Sequence, residues 1–144
     1  MIGYLKGKII SLDPLSRSLI ILAQNVGYKV SVTTEGVAQA KLNQEVDQFI
    51  HTAVREDNIA LYGFAKKEEL AFFEQLMSVS GIGPKSALGI LNMAEVSSIK
   101  RSISQGDTAA LTKVFGIGKK SAERIVVEPL AFLPIQGFRQ AKSL

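Results

Sequence analysis

The sequence predicts an α+β chain in two domains: a small five-stranded barrel over residues 1–64, then an all-α domain over residues 65–128. Three observations carry this. Up to Phe64, short apolar runs and alternating stretches are separated by turn residues, the pattern of strands. From Lys66 the period becomes helical, with Leu70, Phe73, Leu76 and Met77 at i, i+3, i+6 and i+7. Finally, Gly-Ile-Gly, a free position and Lys-Ser-Ala occur twice, in Gly81–Ala87 and Gly116–Ala122, with thirty-five residues between the first glycines.

The strands follow in order. Ile2, Tyr4 and Leu5 lead through Gly7 to Ile9 and Ile10, and Asp13-Pro14 marks a turn. Leu19–Leu22 is a continuous apolar strand, and Gln24-Asn25 begins the next bend. Val26, Tyr28, Val30 and Val32 alternate with Gly27, Lys29 and Ser31, as in a half-buried strand. Thr33-Thr34-Glu35 through Leu42 reads as a short helix or loop, helped by a Thr cap. Val46–Val54 and Ile59–Phe64 complete the set. Five short strands interrupted after the third suggest a Greek-key barrel of the OB type.

Such barrels can stack bases on exposed aromatics. The candidates Tyr4, Tyr28, Phe49, Tyr62 and Phe64 sit among aliphatic neighbours, which suits core positions better. His51 reads as a packed or hydrogen-bonded strand residue. Between the last two strands, Arg55-Glu56-Asp57-Asn58 reads, on its residues alone, as a solvated turn.

In the second half, Lys66, Lys67, Glu68 and Glu69 open the first helix, and the first hairpin follows it. Asn92-Met93-Ala94 is the expected break before a helix near 95–104, with Val96 and Ile99 inward. Asp107 is the expected N-cap of the helix over 108–114, and Lys119–Val127 leaves the second hairpin. Pro129 stops that helix, and the apolar tail 129–144 is left without a structural assignment.

Helix, tight glycine turn, helix, twice over, is the helix-hairpin-helix pattern. Glycine suits a corner where φ turns positive, and a Cβ at Gly83 or Gly118 is expected to block the turn. Ile82 and Ile117 turn inward as anchors. Pro84 suits a first helical position. The free N–H groups of each turn and new helix converge on a spot that favours an anion, and a DNA phosphate fits it. The expected DNA-binding residues are Gly81, Ile82, Gly83, Lys85 and Ser86 in the first hairpin and Gly116, Ile117, Gly118, Lys119 and Lys120 in the second. Contacts of this kind position DNA without reading its sequence.

Charge agrees with this placement. Residues 1–65 hold six Lys/Arg and six Asp/Glu, whereas residues 66–144 hold eleven and seven, so the excess of +4 lies with the hairpins. With no cysteine and one histidine, thiolate chemistry, disulfides and a histidine metal site are not expected, and neither is any cofactor or catalytic residue. No apolar run approaches a membrane span, and the N-terminus lacks a signal-peptide block, so a cytoplasmic protein is expected.

The barrel-then-tandem order, the Met-Ile-Gly start, Val26-Gly27-Tyr28, Val54–Asp57, Leu61–Phe64, both Gly-Ile-Gly turns and Ala122-Glu123-Arg124 together resemble the RuvA family, whose members bind four-way (Holliday) DNA junctions. The resemblance runs through most of residues 1–128. It implies a fourfold-symmetric homotetramer, single or stacked as an octamer, with two hairpins per subunit on the junction arms. It also implies that Glu56 and Asp57 form an acidic pin at the crossover, which reverses the plain reading of that turn. The family recruits a RuvB-type ring ATPase through a further small helical domain. The sequence up to Leu144 leaves no room for that domain, and the stretch after Glu128 also departs from the family's charged continuation, so junction binding is expected and motor recruitment is not.

Two other classes share these parts. Glycosylases and nucleases carry helix-hairpin-helix motifs, but they need a catalytic Asp or Lys in a base-sized pocket or several converging carboxylates. No such set stands out around Asp107, Glu123 or Glu128. A general single-strand binder needs exposed aromatics and has no use for an acidic tip.

Overall fold

The computed structural model describes residues 1–127. The readings for residues 129–144 lie outside the described residues. Two compact units divide between Ala71 and Phe72, and each is taken by itself.

The first unit is a closed barrel of β1 (Tyr4–Asp13), β2 (Ser18–Ala23), β3 (Val26–Ser31), β4 (Glu45–Val54) and β5 (Ile59–Phe64), in the order β1-β2-β3-β5-β4. All pairings are antiparallel except that of β3 with β5. Closure depends on β1 serving two neighbours. Its first half pairs with β4 and its second with β2, and a bulge between Ile9 and Ser11 bends it from one to the other. Gly7 sits at this crossing, where a Cβ would collide with the Leu22 carbonyl, so the strands could not approach with any larger residue.

The β2–β3 corner is a two-residue turn at Gln24 and Asn25, with φ of 50° and 67°. Both residues lie in the left-handed region that matches the twist of a hairpin, and Asn tolerates it better than most. Helix α1 (Thr34–Gln39) fills the interruption after the third strand. Thr33 caps it by accepting the Gly36 N–H at 3.0 Å. Leu5, Ile9, Leu19, Ile21, Val30 and Ile50 form the core with their neighbours.

The strand alternation holds from Tyr28 to Val32 but not at its start, where Val26 is half exposed. Of the five aromatics, Tyr62 and Phe64 are buried and Tyr28 and Phe49 partly so. Tyr4 departs from the expected core position, being 49% exposed. It lies opposite Phe49 across β1 and β4, with ring centroids 5.5 Å apart, and its hydroxyl donates to Asp47 Oδ2 at 3.0 Å. A tyrosine can hold such a margin because its ring packs while its hydroxyl stays wet. His51 lies beside Tyr62, centroids 6.5 Å apart.

In the first turn of helix α2 (Lys67–Met77), Glu69 Oε1 accepts the Lys66 N–H at 3.3 Å; burial raises this carboxyl above its ordinary pKa. The second unit is α-helical: the rest of α2, then α3 (Pro84–Met93), α4 (Val96–Ser104), α5 (Thr108–Lys113) and α6 (Lys119–Val127). Phe72, Phe73, Leu76, Ile99, Ile103, Leu111 and Ile125 are buried at its centre. Phe72 was not on the expected stripe, since a strict 3–4 spacing passes over a wider buried face. The break before α4 falls at Ala94 and Glu95, later than expected: Asn92 and Met93 remain helical, and the backbone first opens at Ala94 (φ −164°). Asp107 caps α5 as expected, accepting the Ala110 N–H at 3.0 Å.

Candidate nucleic-acid interface

The first turn joins α2 to α3. Val79 N–H donates to the Leu76 carbonyl and Ile82 N–H to the Val79 carbonyl, each at 3.1 Å. Gly81 takes φ +94°, a conformation that costs an L-residue about 1–2 kcal/mol. Gly83 is the N-cap of α3, Pro84 occupies the first helical position, and the Gly83 carbonyl accepts the Ala87 N–H at 2.9 Å. The second turn joins α5 to α6. Gly116 takes φ +71°, Ile117 N–H reaches back to the Leu111 carbonyl at 2.9 Å, and the Gly118 carbonyl accepts the Ala122 N–H at 2.8 Å.

Ile82 and Ile117 are buried, as are Ala87 and Ala122, so each loop is pinned by its isoleucine and by the alanine one turn into the helix that follows. The expected role of these isoleucines narrows accordingly. Their side chains serve the core and their amides are bonded within the chain, so neither residue has a free donor for a ligand. By contrast, Gly81, Gly83, Lys85, Ser86, Gly116, Gly118, Lys119 and Lys120 are exposed. Among the described residues, no main-chain carbonyl accepts any of their N–H groups. Each hairpin thus brings unengaged helix-start amides to the surface next to lysine side chains.

The second glycine of each pair needs a correction. Gly83 has φ −94° and ψ −178°, ordinary extended backbone, and Gly118 is not among the positive-φ residues. A Cβ on either would meet nothing within 4 Å. The expectation that a Cβ there blocks the turn is overturned: only Gly81 and Gly116 are demanded by backbone conformation. What Gly83 and Gly118 leave open is the space outside the protein.

The sequence reading missed Ser80, Ser121 and Arg124. The Ser80 carbonyl accepts two hydrogen bonds from α6, from Ser121 Oγ and from Arg124 Nη1, both at 3.0 Å. Ser121 is the repeat counterpart of Ser86, yet Ser86 is exposed and Ser121 is buried. Only three-dimensional packing separates the two, because their sequence contexts are nearly alike.

In the barrel unit, the strip between β4 and β5 closes with Arg55 N–H donating to the Asn58 carbonyl at 2.8 Å. This leaves Glu56 and Asp57 exposed at the tip. The flanking pair Val54 and Ile59 is also largely exposed. Carboxylates so placed repel phosphate, the opposite electrostatic character to the hairpin turns.

Comparisons with known proteins agree with this division. Residues 1–63 match the family described as RuvA N terminal domain, and residues 73–128 match the SAM-like Helix-hairpin-helix tandem. The chain is 41% identical over 128 residues to the "Holliday junction branch migration complex subunit RuvA" of Alkaliphilus oremlandii (strain OhILAs), covering 89% of this chain and 65% of that protein. Proteins of the same name from Lactococcus lactis subsp. cremoris (strain MG1363) and Clostridium botulinum (strain Hall) are 40% identical over 128 and 131 residues, with 89% of this chain and 64% of theirs covered. The chain therefore spans just under two thirds of the length of these curated relatives. The barrel thus carries the RuvA N terminal domain, and barrel and helix-hairpin-helix tandem together align with RuvA subunits at about 40% identity.

Proposed function

We propose that this chain binds four-way DNA junctions by shape, gripping the sugar–phosphate backbone of the arms through its two hairpins and performing no bond chemistry itself. The observation that carries the reading is the pair of exposed turns in one helical unit, each with unengaged N–H groups beside Lys85 or beside Lys119 and Lys120. Backbone amides and lysines neutralise phosphate without sequence preference, so by themselves they would hold any duplex. Discrimination comes from the repelling element. Glu56 and Asp57, on an exposed tip, disfavour phosphate where strands cross, which penalises a continuous duplex and tolerates an open junction.

Each fourfold homotetramer, alone or as one half of a stacked octamer, would place four such tips at the hub and eight hairpins on the arms. The relatives' name puts them in a branch migration complex, and a RuvB-type ring ATPase is the partner to try in a pull-down. A cytoplasmic location goes with this reading. Among the described residues, no helix is long and apolar enough to cross a membrane.

The test compares a four-way junction, a linear duplex and a single strand of related sequence at two salt concentrations with Mg²⁺ present. Strong junction preference, steep salt dependence and uncut DNA are expected. Equal affinity for all three would overturn the proposal. Replacing both Glu56 and Asp57 by Lys is expected to keep or raise affinity for every duplex and to erode the preference for junctions. Unchanged discrimination would remove the tip from the account.

A further inference from the structure

Resting on the junction-binding reading, we infer that Ser121 and Arg124 are positioning residues for the first hairpin: by holding the Ser80 carbonyl against α6, they turn the Gly81 N–H outward to meet phosphate. The peptide between Ser80 and Gly81 is trans, as are all the peptides in the described chain. In a trans peptide, the C=O and the following N–H point in opposite directions. Two donors from α6, both at 3.0 Å, fix the carbonyl on the α6 side, so the Gly81 N–H faces away from α6.

Three further observations agree. The Gly81 N–H is accepted by no main-chain carbonyl among the described residues, and Gly81 is exposed. Ser121 is one of two buried polar residues in the described chain, so its hydroxyl is committed to this bond and is not a surface ligand. A Cβ on Gly81 would lie 2.9 Å from Ser121 Oγ, so the turn is seated directly against that side chain. The arrangement also keeps a partial negative charge away from the anion site. An unheld Ser80 carbonyl could rotate toward the phosphate, where it would repel it.

The device is not repeated. By the thirty-five-residue offset, Ser80 corresponds to Phe115, Ser121 to Ser86 and Arg124 to Gly89. Glycine has no side chain to reach the second turn, and Ser86 is exposed. The second hairpin's leaving helix therefore supports the first hairpin's turn, and among the described residues no reciprocal bond returns. The support of the first phosphate site, Ser121 and Arg124, thus comes from the second repeat.

The experiment titrates the full chain and its Ser121→Ala variant with a fluorescent four-way junction, then repeats both with Lys85→Ala or Lys120→Ala added. Ser121→Ala changes no charge, so electrostatic attraction to DNA is untouched. A loss of about fivefold in affinity is expected, the size of one misdirected hydrogen bond. The Lys85→Ala effect should shrink in the Ser121→Ala background, because that lysine then stands beside a misaligned turn, while the Lys120→Ala effect stays the same. A purely structural role would lower the melting temperature and leave both lysine effects equal and additive. That result, or an unchanged affinity, overturns the inference. Should Ser121→Ala fail to fold, Arg124→Lys keeps the charge and the serine bond, and the same coupling to Lys85 alone is required of it. Absence of junction binding by the unaltered chain would sink the function itself, whereas binding that ignores Ser121 and Arg124 sinks only their assignment.

Discussion

The two hairpins carry the same Gly-Ile-Gly and Lys-Ser-Ala residues, yet they are built into the protein differently. The first turn is short-circuited by a three-residue bond, Ile82 N–H to the Val79 carbonyl, and is held from outside by α6 through Ser80. The second is closed by a long reach, Ile117 N–H to the Leu111 carbonyl, and its Gly116 faces open space. What repeats is the surface offered outward: a positive-φ corner, a free N-cap glycine and lysines at the helix start. What does not repeat is the attachment. A duplicated motif thus keeps the geometry its ligand meets, while the supporting contacts diverge with each copy's surroundings.

The largest effects should come from the shared anchors. Ile82→Ala and Ile117→Ala each empty a buried site and should cost about 2–5 kcal/mol in urea unfolding. If the isoleucine is the main anchor in both turns, the two losses will be close. A much smaller loss at Ile82 would mean that the Ser80 bonds hold the first turn in its place.

The corner glycines should separate the copies. Gly81→Ala and Gly116→Ala both force an L-residue into the left-handed region, at about 1–2 kcal/mol each. At Gly81 the new Cβ also sits 2.9 Å from Ser121 Oγ, whereas at Gly116 it meets nothing within 4 Å. Gly81→Ala should therefore be the more destabilising in thermal melts. Equal losses would show that Ser121 moves aside at no cost and that the first turn is no more tightly seated than the second. A smaller contrast lies upstream of the turns. Asp107→Ala removes the cap of α5, which leads only into the second hairpin, and should cost about 1 kcal/mol. Amide exchange should then quicken around Ile117 and not around Ile82. Matching changes at both turns would mean that they open as one unit.

Much of this was legible in the residues. Strand alternation, a threonine cap before α1, the Asp107 cap and the repeat itself are local signals, and each arises from contacts within a few positions. The buried isoleucine between exposed glycines could be read for the same reason. Less legible was anything decided by packing across the chain. Phe72 is buried beyond the strict helical stripe, and Tyr4 is exposed because it lies on the outward face of β1, alternating with buried Leu5. Ser86 and Ser121 share a sequence context and have opposite environments, so no pattern in either segment reveals that one supports a turn forty-one positions back. The acidic tip could be located from its turn residues, but its meaning came only from the resemblance.

The smallest effect on the protein itself should be at the second glycines, and it separates fold from function. Gly83 and Gly118 hold ordinary backbone with open space where a Cβ would project, so Gly83→Ala and Gly118→Ala should leave the melting temperature nearly unchanged. In an exposed N-cap, alanine caps less well than glycine but lowers the entropy of the unfolded chain, and the two effects, each under about 1 kcal/mol, oppose one another. If these glycines exist to let a phosphate approach the main chain, the methyl group will occupy that approach and both variants will lose affinity for every duplex arm, junction or linear. The two copies should lose similar amounts, because this is the part of the motif that both present alike. A variant that melts like the unaltered chain and binds like it would mean that the outward surface shared by the two hairpins is not where DNA lies.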